Sequence, residues 1–124
     1  MSDATTNEFD RRYLATWTEP DARRRRAAVE SLWATDGRMV VAPHGLTLRG
    51  VDQIAAHVDR VHEENIAGRG LTFAYDQRAE ADEALMLRWS MLAPDGGVVG
   101  RGVDVVFRDG EGAVRTVYMF TGVS

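Results

Sequence analysis

Residues Gly100 to Gly112 read GRGVDVVFRDGEG, a strand running into a turn. Val103, Val105 and Phe107 alternate with Gly102, Asp104, Val106 and Arg108, the two-residue period of a strand. Asp109-Gly110-Glu111-Gly112 supplies a hairpin turn that tolerates positive φ. Asp104 breaks the pattern. It shares a face with Val106 in mid-strand, where Asp is disfavoured. A carboxylate there needs water, a partner or a proton. On this strand alone it is either an Asp on a solvated sheet face or a polar group in an apolar pocket.

The same alternation extends to both sides. Strands are predicted over Leu71 to Ala79, Glu83 to Leu92, Val98 to Arg108 and Ala113 to Thr121. The junctions Glu80-Ala81-Asp82, Pro94 to Gly97 and Asp109 to Gly112 all carry turn signals. Consecutive strands with short turns make an antiparallel meander. Leu85, Leu87, Trp89 and Met91 share one face, and Gly100 and Gly102 mark a bulge or bend. The sheet has two apolar faces and so needs two covers.

The first half of the chain supplies one cover. Met1 to Thr6 are polar and expected to fray; Thr6 or Asn7 caps a helix running to about Thr18, with Phe9, Tyr13, Leu14 and Trp17 on one stripe. A second helix begins near Pro20 and carries Ala28, Val29, Leu32 and Trp33. Its run Arg23 to Arg26 reads as a solvated helix face, because the chain carries a net charge of −4. Asp36-Gly37 ends this hairpin. Met39 to Ala42 and Leu46 to Leu48 form a short strand pair around the Pro43-His44-Gly45 turn. Gly50-Val51-Asp52 opens a third helix with the stripe Val51, Ile54, Ala55, Val58 and Val61. His62 falls beside that stripe. His57 falls near its edge and is expected at the surface. Asn65 to Gly70 reads as a loop. The second cover is expected to be another copy of the chain, through the face carrying Val103, Val105, Phe107, Tyr118 and Phe120, with Arg88 and Arg101 at its rim.

The 124 residues fit one domain, 1–124. The acidic balance argues against nucleic acid as a partner. No Cys is present, which excludes disulfides and a thiolate nucleophile. No signal-peptide layout and no membrane-length apolar run is visible, so a cytoplasmic protein is expected. The histidines lack metal-site spacing and there is no Gly-rich phosphate loop; neither metal nor cofactor is expected.

Helix, helix, short strand pair, helix and four-strand meander follow the order of the NTF2-like α+β cone, in which three N-terminal helices pack on a strongly curved antiparallel sheet. The chain resembles the SnoaL-like, polyketide cyclase-like group within it and is similar to ketosteroid isomerase. Four local matches carry the resemblance: Tyr13 in RYLATWTEPD, eight residues before Asp21; Ala42-Pro43-His44-Gly45, where the isomerases have an Asp-Pro turn; Gly50-Val51-Asp52-Gln53-Ile54-Ala55 at the third helix; and Asp104, eight residues before Gly112.

In ketosteroid isomerase the first-helix Tyr and the strand Asp form the oxyanion hole, and a further carboxylate is the base. The resemblance therefore implies Tyr13 and Asp104 as donors to a substrate oxygen. It puts the base at position 42, which here is Ala. In SnoaL-like polyketide cyclases a pocket Asp acts as acid or base, and in related epoxide hydrolases carboxylates and an Arg activate water; Asp104 fits either role. His62 and His44 are the nearby groups that could stand in for the missing base. Trp17, Val58, Leu87, Trp89, Val106, Val117 and Met119 are implied as pocket lining, and each also suits plain core. Two functions follow. One is a cofactor-independent isomerase, cyclase or hydrolase acting on a small, largely apolar carbonyl, enol or epoxide compound, and not an efficient ketosteroid isomerase. The other is a non-catalytic ligand-binding or dimerisation module.

Overall fold

The computed structural model describes residues 3–122, with side chains from Glu8 onward. Helix α1 spans Asp3–Thr18, α2 Ala22–Leu32 and α3 Gly50–Val61; a π-helix, His62–Ala67, continues α3. Strands are β1 (Trp33–Ala42), β2 (Leu46–Arg49), β3 (Thr72–Ala81), β4 (Ala84–Leu92), β5 (Val98–Arg108) and β6 (Val114–Thr121). The sheet order is β2-β1-β6-β5-β4-β3. All ladders are antiparallel except β1 with β6, which is parallel. The sheet is therefore mixed: the meander is antiparallel as expected, and β1 docks beside its last strand. No helix among the described residues is long and apolar enough to cross a membrane.

Several boundaries differ from expectation for identifiable reasons. Helix α1 starts at Asp3, so Thr6 and Asn7 lie inside it; of the segment expected to fray, Met1 and Ser2 lie outside the described residues. Helix α2 starts after Pro20 because Asp21 is its cap: its Oδ1 accepts from the backbone N–H groups of Arg23 and Arg24 at 2.9 and 3.2 Å. Strand β1 starts at Trp33, six residues early. Asp36-Gly37 is no helix stop but part of an irregularity in β1, where the register shifts between Trp33 and Arg38. A Cβ at residue 37 would lie 2.5 Å from the Trp33 ring, so Gly is what allows that indole to fold over the strand. Of the expected loop at 65–70, residues 65–67 belong to the π-helix and 68–70 form the turn and connection that follow.

The Arg run also needs correction. Arg23 and Arg24 are exposed, but Arg25 is buried, only 2% accessible. Its Nε and Nη2 donate to Asp59 Oδ1 at 3.1 and 2.9 Å, and its Nη1 to the carbonyl of Glu19 at 2.7 Å. It clamps the α1–α2 corner onto α3, and every hydrogen bond it makes is charge-assisted. At the opposite end of α1, Arg78 of β3 pairs with Asp10 at 2.8 Å, and the Arg108 guanidinium lies 4.6 Å from the centre of the Phe9 ring. These contacts fix α1 across the sheet.

The core lies between the helices and one sheet face. Cross-strand rows define that face: Leu85, Val106, Val117 and Met39 in one, Leu87, Asp104, Met119 and Val41 in the next. All eight are buried. On the opposite face Val103, Val105, Phe107 and Tyr118 are half-buried and Phe120 is 41% exposed.

Candidate functional site

A cavity of about 230 Å³ lies between α1, α3 and the inner sheet face. Leu14 and Trp17 of α1 form one wall, Val41 and the His44 turn an edge, and His57, Val61 and Asn65 a second wall. The floor is the sheet. Tyr75 pairs across strands with Trp89, and Trp89 with Gly102; Phe73 pairs with Met91, and Asp104 with Met119. Every side chain of these pairs lines the cavity.

Asp104 supplies a carboxyl group to the lining. The residue is 3% exposed, yet its carboxyl is held at both oxygens. Trp89 Nε1 donates to Oδ1 at 2.9 Å, and the Tyr13 hydroxyl donates to Oδ2 at 3.2 Å. Burial pushes the Asp104 pKa up to about 7, and the bonds from Trp89 and Tyr13 pull against that rise. The carboxyl is therefore poised to exchange a proton near neutrality. Among the described residues it is the only carboxylate that lines the cavity.

Tyr13 is fully buried and does not itself line the cavity; its hydroxyl hydrogen goes to Asp104. Burial first, and then the Asp104 charge, hold its phenol well above the ordinary range. Tyr13 thus positions Asp104, and the pair does not present two converging donors.

Of the other residues singled out in the sequence, Trp17, Trp89, Met119 and His44 line the cavity, His44 from an exposed turn. Val58, Leu87, Val106 and Val117 sit beneath it as closed core. His62 is buried but faces away: its Nδ1 donates to the Trp17 carbonyl at 2.8 Å, which ties the π-helix to the end of α1. Ala42 pairs with Phe120 and so shares the outer face.

His57 was expected at the surface and is instead buried in the cavity wall, at 8% exposure. Its ring meets Trp17 edge-on, 6.0 Å between centroids, so an imidazole at the margin of the apolar stripe is covered by α1. Phe73 and Tyr75 also line the cavity, and their alternation with Thr72 and Ala74 is the sequence signal for it. Burial, and then the nearby Asp104, raise the Tyr75 phenol well above its ordinary value. Asn65 enters the wall because the π-helix carries helical backbone past Val61. Among the described residues no three His, Asp or Glu side chains are grouped to hold a metal ion.

No protein-family model matches the chain, and no curated protein matches it in sequence. Solved structures do. A candidate isomerase of the SnoaL-like family from Agrobacterium tumefaciens str. C58 is 29% identical, with 98% of each chain covered and a TM-score of 0.82. A SnoaL-like protein of unknown function from Burkholderia thailandensis is 17% identical, covers 99% of each chain and has a TM-score of 0.73. A protein with a ketosteroid isomerase-like fold from Catenulispora acidiphila, solved with trimethylamine, is 17% identical over 90% of this chain and 83% of its own, at a TM-score of 0.69. Three helices on a six-stranded mixed sheet, with these neighbours, make this chain an NTF2-like α+β cone whose structural relatives are SnoaL-like and ketosteroid isomerase-like proteins.

Proposed function

We propose that the protein is a cofactor-independent acid-base enzyme acting on a small, largely apolar carbonyl, enol or epoxide compound, with Asp104 as its proton-transfer group. One observation carries this reading: a carboxyl with a pKa of about 7 opens on an apolar cavity. A general acid-base group is most effective when its pKa lies near the working pH. As carboxylate, Asp104 takes a proton from the carbon next to a carbonyl; as acid, it returns the proton to the enol at another position. Tyr13 and Trp89 hold its two oxygens and keep it oriented through both states. The resemblance to a candidate SnoaL-like isomerase over nearly the whole chain supports the same class.

The test needs no knowledge of the natural substrate. Exchange of the α-hydrogens of 2-tetralone and indan-2-one for deuterium is followed by NMR. The protein should accelerate it with a rate that rises with pH to a plateau, half-maximal near the Asp104 pKa of about 7. Asp104→Asn should lower the rate by about 10²-fold or more. Binding of these ketones with no exchange above buffer would favour the second reading, a non-catalytic binding module. That reading draws on the absence of a second carboxylate among the described lining residues.

A further inference from the structure

His57 has one hydrogen-bond partner among the described residues: its Nδ1 lies 3.0 Å from Arg60 Nη2. A guanidinium can only donate and does not lose its proton. Nδ1 must therefore accept, and the single hydrogen of the neutral ring must sit on Nε2. Burial and the Arg60 charge hold the ring neutral, with its pKa pushed down to about 4. No buried side-chain nitrogen or oxygen among the described residues lacks a partner, so Nε2–H is not enclosed by protein. The ring is 8% exposed and lines the cavity, which is the open space beside it.

We propose that His57 is a ligand-recognising hydrogen-bond donor, and that the cavity takes a neutral, largely apolar molecule whose carbonyl-type oxygen sits on His57 Nε2–H. Three features select this ligand class. Nε2–H offers only a donor, so its partner is an acceptor. An occupant without an acceptor would leave that N–H desolvated and unpaired, which is costly. A carboxylate ligand would meet the Asp104 carboxyl inside the cavity, while the nearest guanidinium, Arg60, is exposed and engaged on the far side of the imidazole. The remaining wall is set by groups such as Leu14, Val61, Phe73 and Met91, which match a hydrocarbon body. The inference rests on the cavity being a ligand site, as read above, and not on proton transfer by Asp104.

The experiment compares 2-acetylnaphthalene with 2-ethylnaphthalene, which has the same body and no acceptor, and with 2-naphthoate. Dissociation constants are measured by calorimetry for the unmodified protein, His57→Phe and His57→Gln. The ketone should bind, and the ratio of its affinity to that of the hydrocarbon should fall about tenfold in His57→Phe. His57→Gln, which keeps a side-chain N–H donor, should hold that ratio within about threefold. Nitrogen NMR of the free, unmodified protein should show His57 protonated at Nε2 and not at Nδ1 at neutral pH, a readout independent of how either variant folds. The proposal is overturned by a ratio unchanged in His57→Phe, by a proton on Nδ1, by 2-naphthoate binding as tightly as the ketone, or by no binding of the ketone. His57-dependent ketone binding without α-hydrogen exchange would leave this assignment standing and sink the acid-base reading.

Discussion

The indole of Trp89 reaches Asp104 only because residue 102 has no side chain. Trp89 and Gly102 are cross-strand partners, and a Cβ at 102 would lie 2.6 Å from Trp89 Cε2 and 2.7 Å from the Phe120 carbonyl. The ring occupies that space and delivers its N–H to Asp104 Oδ1. Gly102→Ala should therefore displace the indole. The expected cost is about 1–3 kcal/mol of stability, with the Asp104 pKa rising further as it loses a donor. Thermal unfolding and carboxyl NMR check both; a variant with unchanged melting and unchanged titration would refute this role for Gly102.

Asp104 makes stability depend on pH in a defined window. Its folded pKa of about 7 lies above the ordinary 3.8, so the folded state holds a proton that the unfolded chain releases. This group's contribution is complete below about pH 4 and is lost as pH rises to about 7. The size is on the order of 4 kcal/mol. Asp104→Asn should flatten that part of the profile and match or exceed the unmodified protein near neutrality. Tyr13→Phe should move the upper edge of the window upward, since one donor to the carboxylate is gone. Denaturant unfolding from pH 4 to 8 decides; an Asp104→Asn profile as steep as the original would assign the dependence elsewhere.

The site residues that sequence reasoning found and missed divide along physical lines. Asp104 was legible as an exception because it shares a mid-strand face with Val106, where a carboxylate needs water, a partner or a proton. The meander was legible because each turn carries Gly, Pro or Asp at the right spacing; β5 matches its expected limits and the others differ by a residue or two at an end. Arg25 was not legible, because four consecutive arginines do not say which one faces Asp59. Nor was His57: its burial depends on the Trp17 ring, contributed by a helix forty residues earlier in the chain. Trp33 to Asp36 read as helix end and turn because local propensity there points away from a strand, and pairing with β6 overrides it.

Arg25 should be costly to remove. Arg25→Ala would strip Asp59 of its partner, leave the Glu19 carbonyl without its donor and open a void at the α1–α2 corner. A loss of about 2–4 kcal/mol is expected, and Arg25→Lys should recover only part of it because a single ammonium cannot replace the fork. Chemical denaturation measures both; a loss below about 1 kcal/mol for Arg25→Ala would place this contact among ordinary surface pairs.

Ala42→Asp should not raise ketosteroid isomerisation. The side chain at 42 shares the outer face with Phe120, so a carboxylate there turns away from Asp104. Conversion of a β,γ-unsaturated ketosteroid by both proteins is the assay. A gain of about 10²-fold on Ala42→Asp would contradict this placement of residue 42.

The outer face should be covered by a second copy of the chain. Phe120 pairs with Val103, and Tyr118 with Val105, in rows turned away from the helices. Arg38 lies over the Tyr118 ring and donates to its hydroxyl at 2.7 Å, leaving the Phe120 end open. A dimer burying about 1,200 Å² or more in total is expected. Sedimentation at micromolar concentration should give twice the chain mass, and Phe120→Lys should shift it toward one.

The parallel pairing of β1 with β6 has a consequence for how the chain comes together. Arg38 and Tyr118, neighbours across that ladder, are 80 residues apart in sequence. The β1–β2 hairpin has no place in the sheet until β6 exists, because β6 alone pairs it with the meander. A ribosome-bound chain halted before Val114 would therefore hold a finished hairpin stack beside an unclosed helical layer, with the Asp104 row lacking its Met119 neighbour. Such distant pairing delays the rewarding contacts and slows folding. The cavity floor beside Asp104 is thus completed only when β6 brings Met119 into its row.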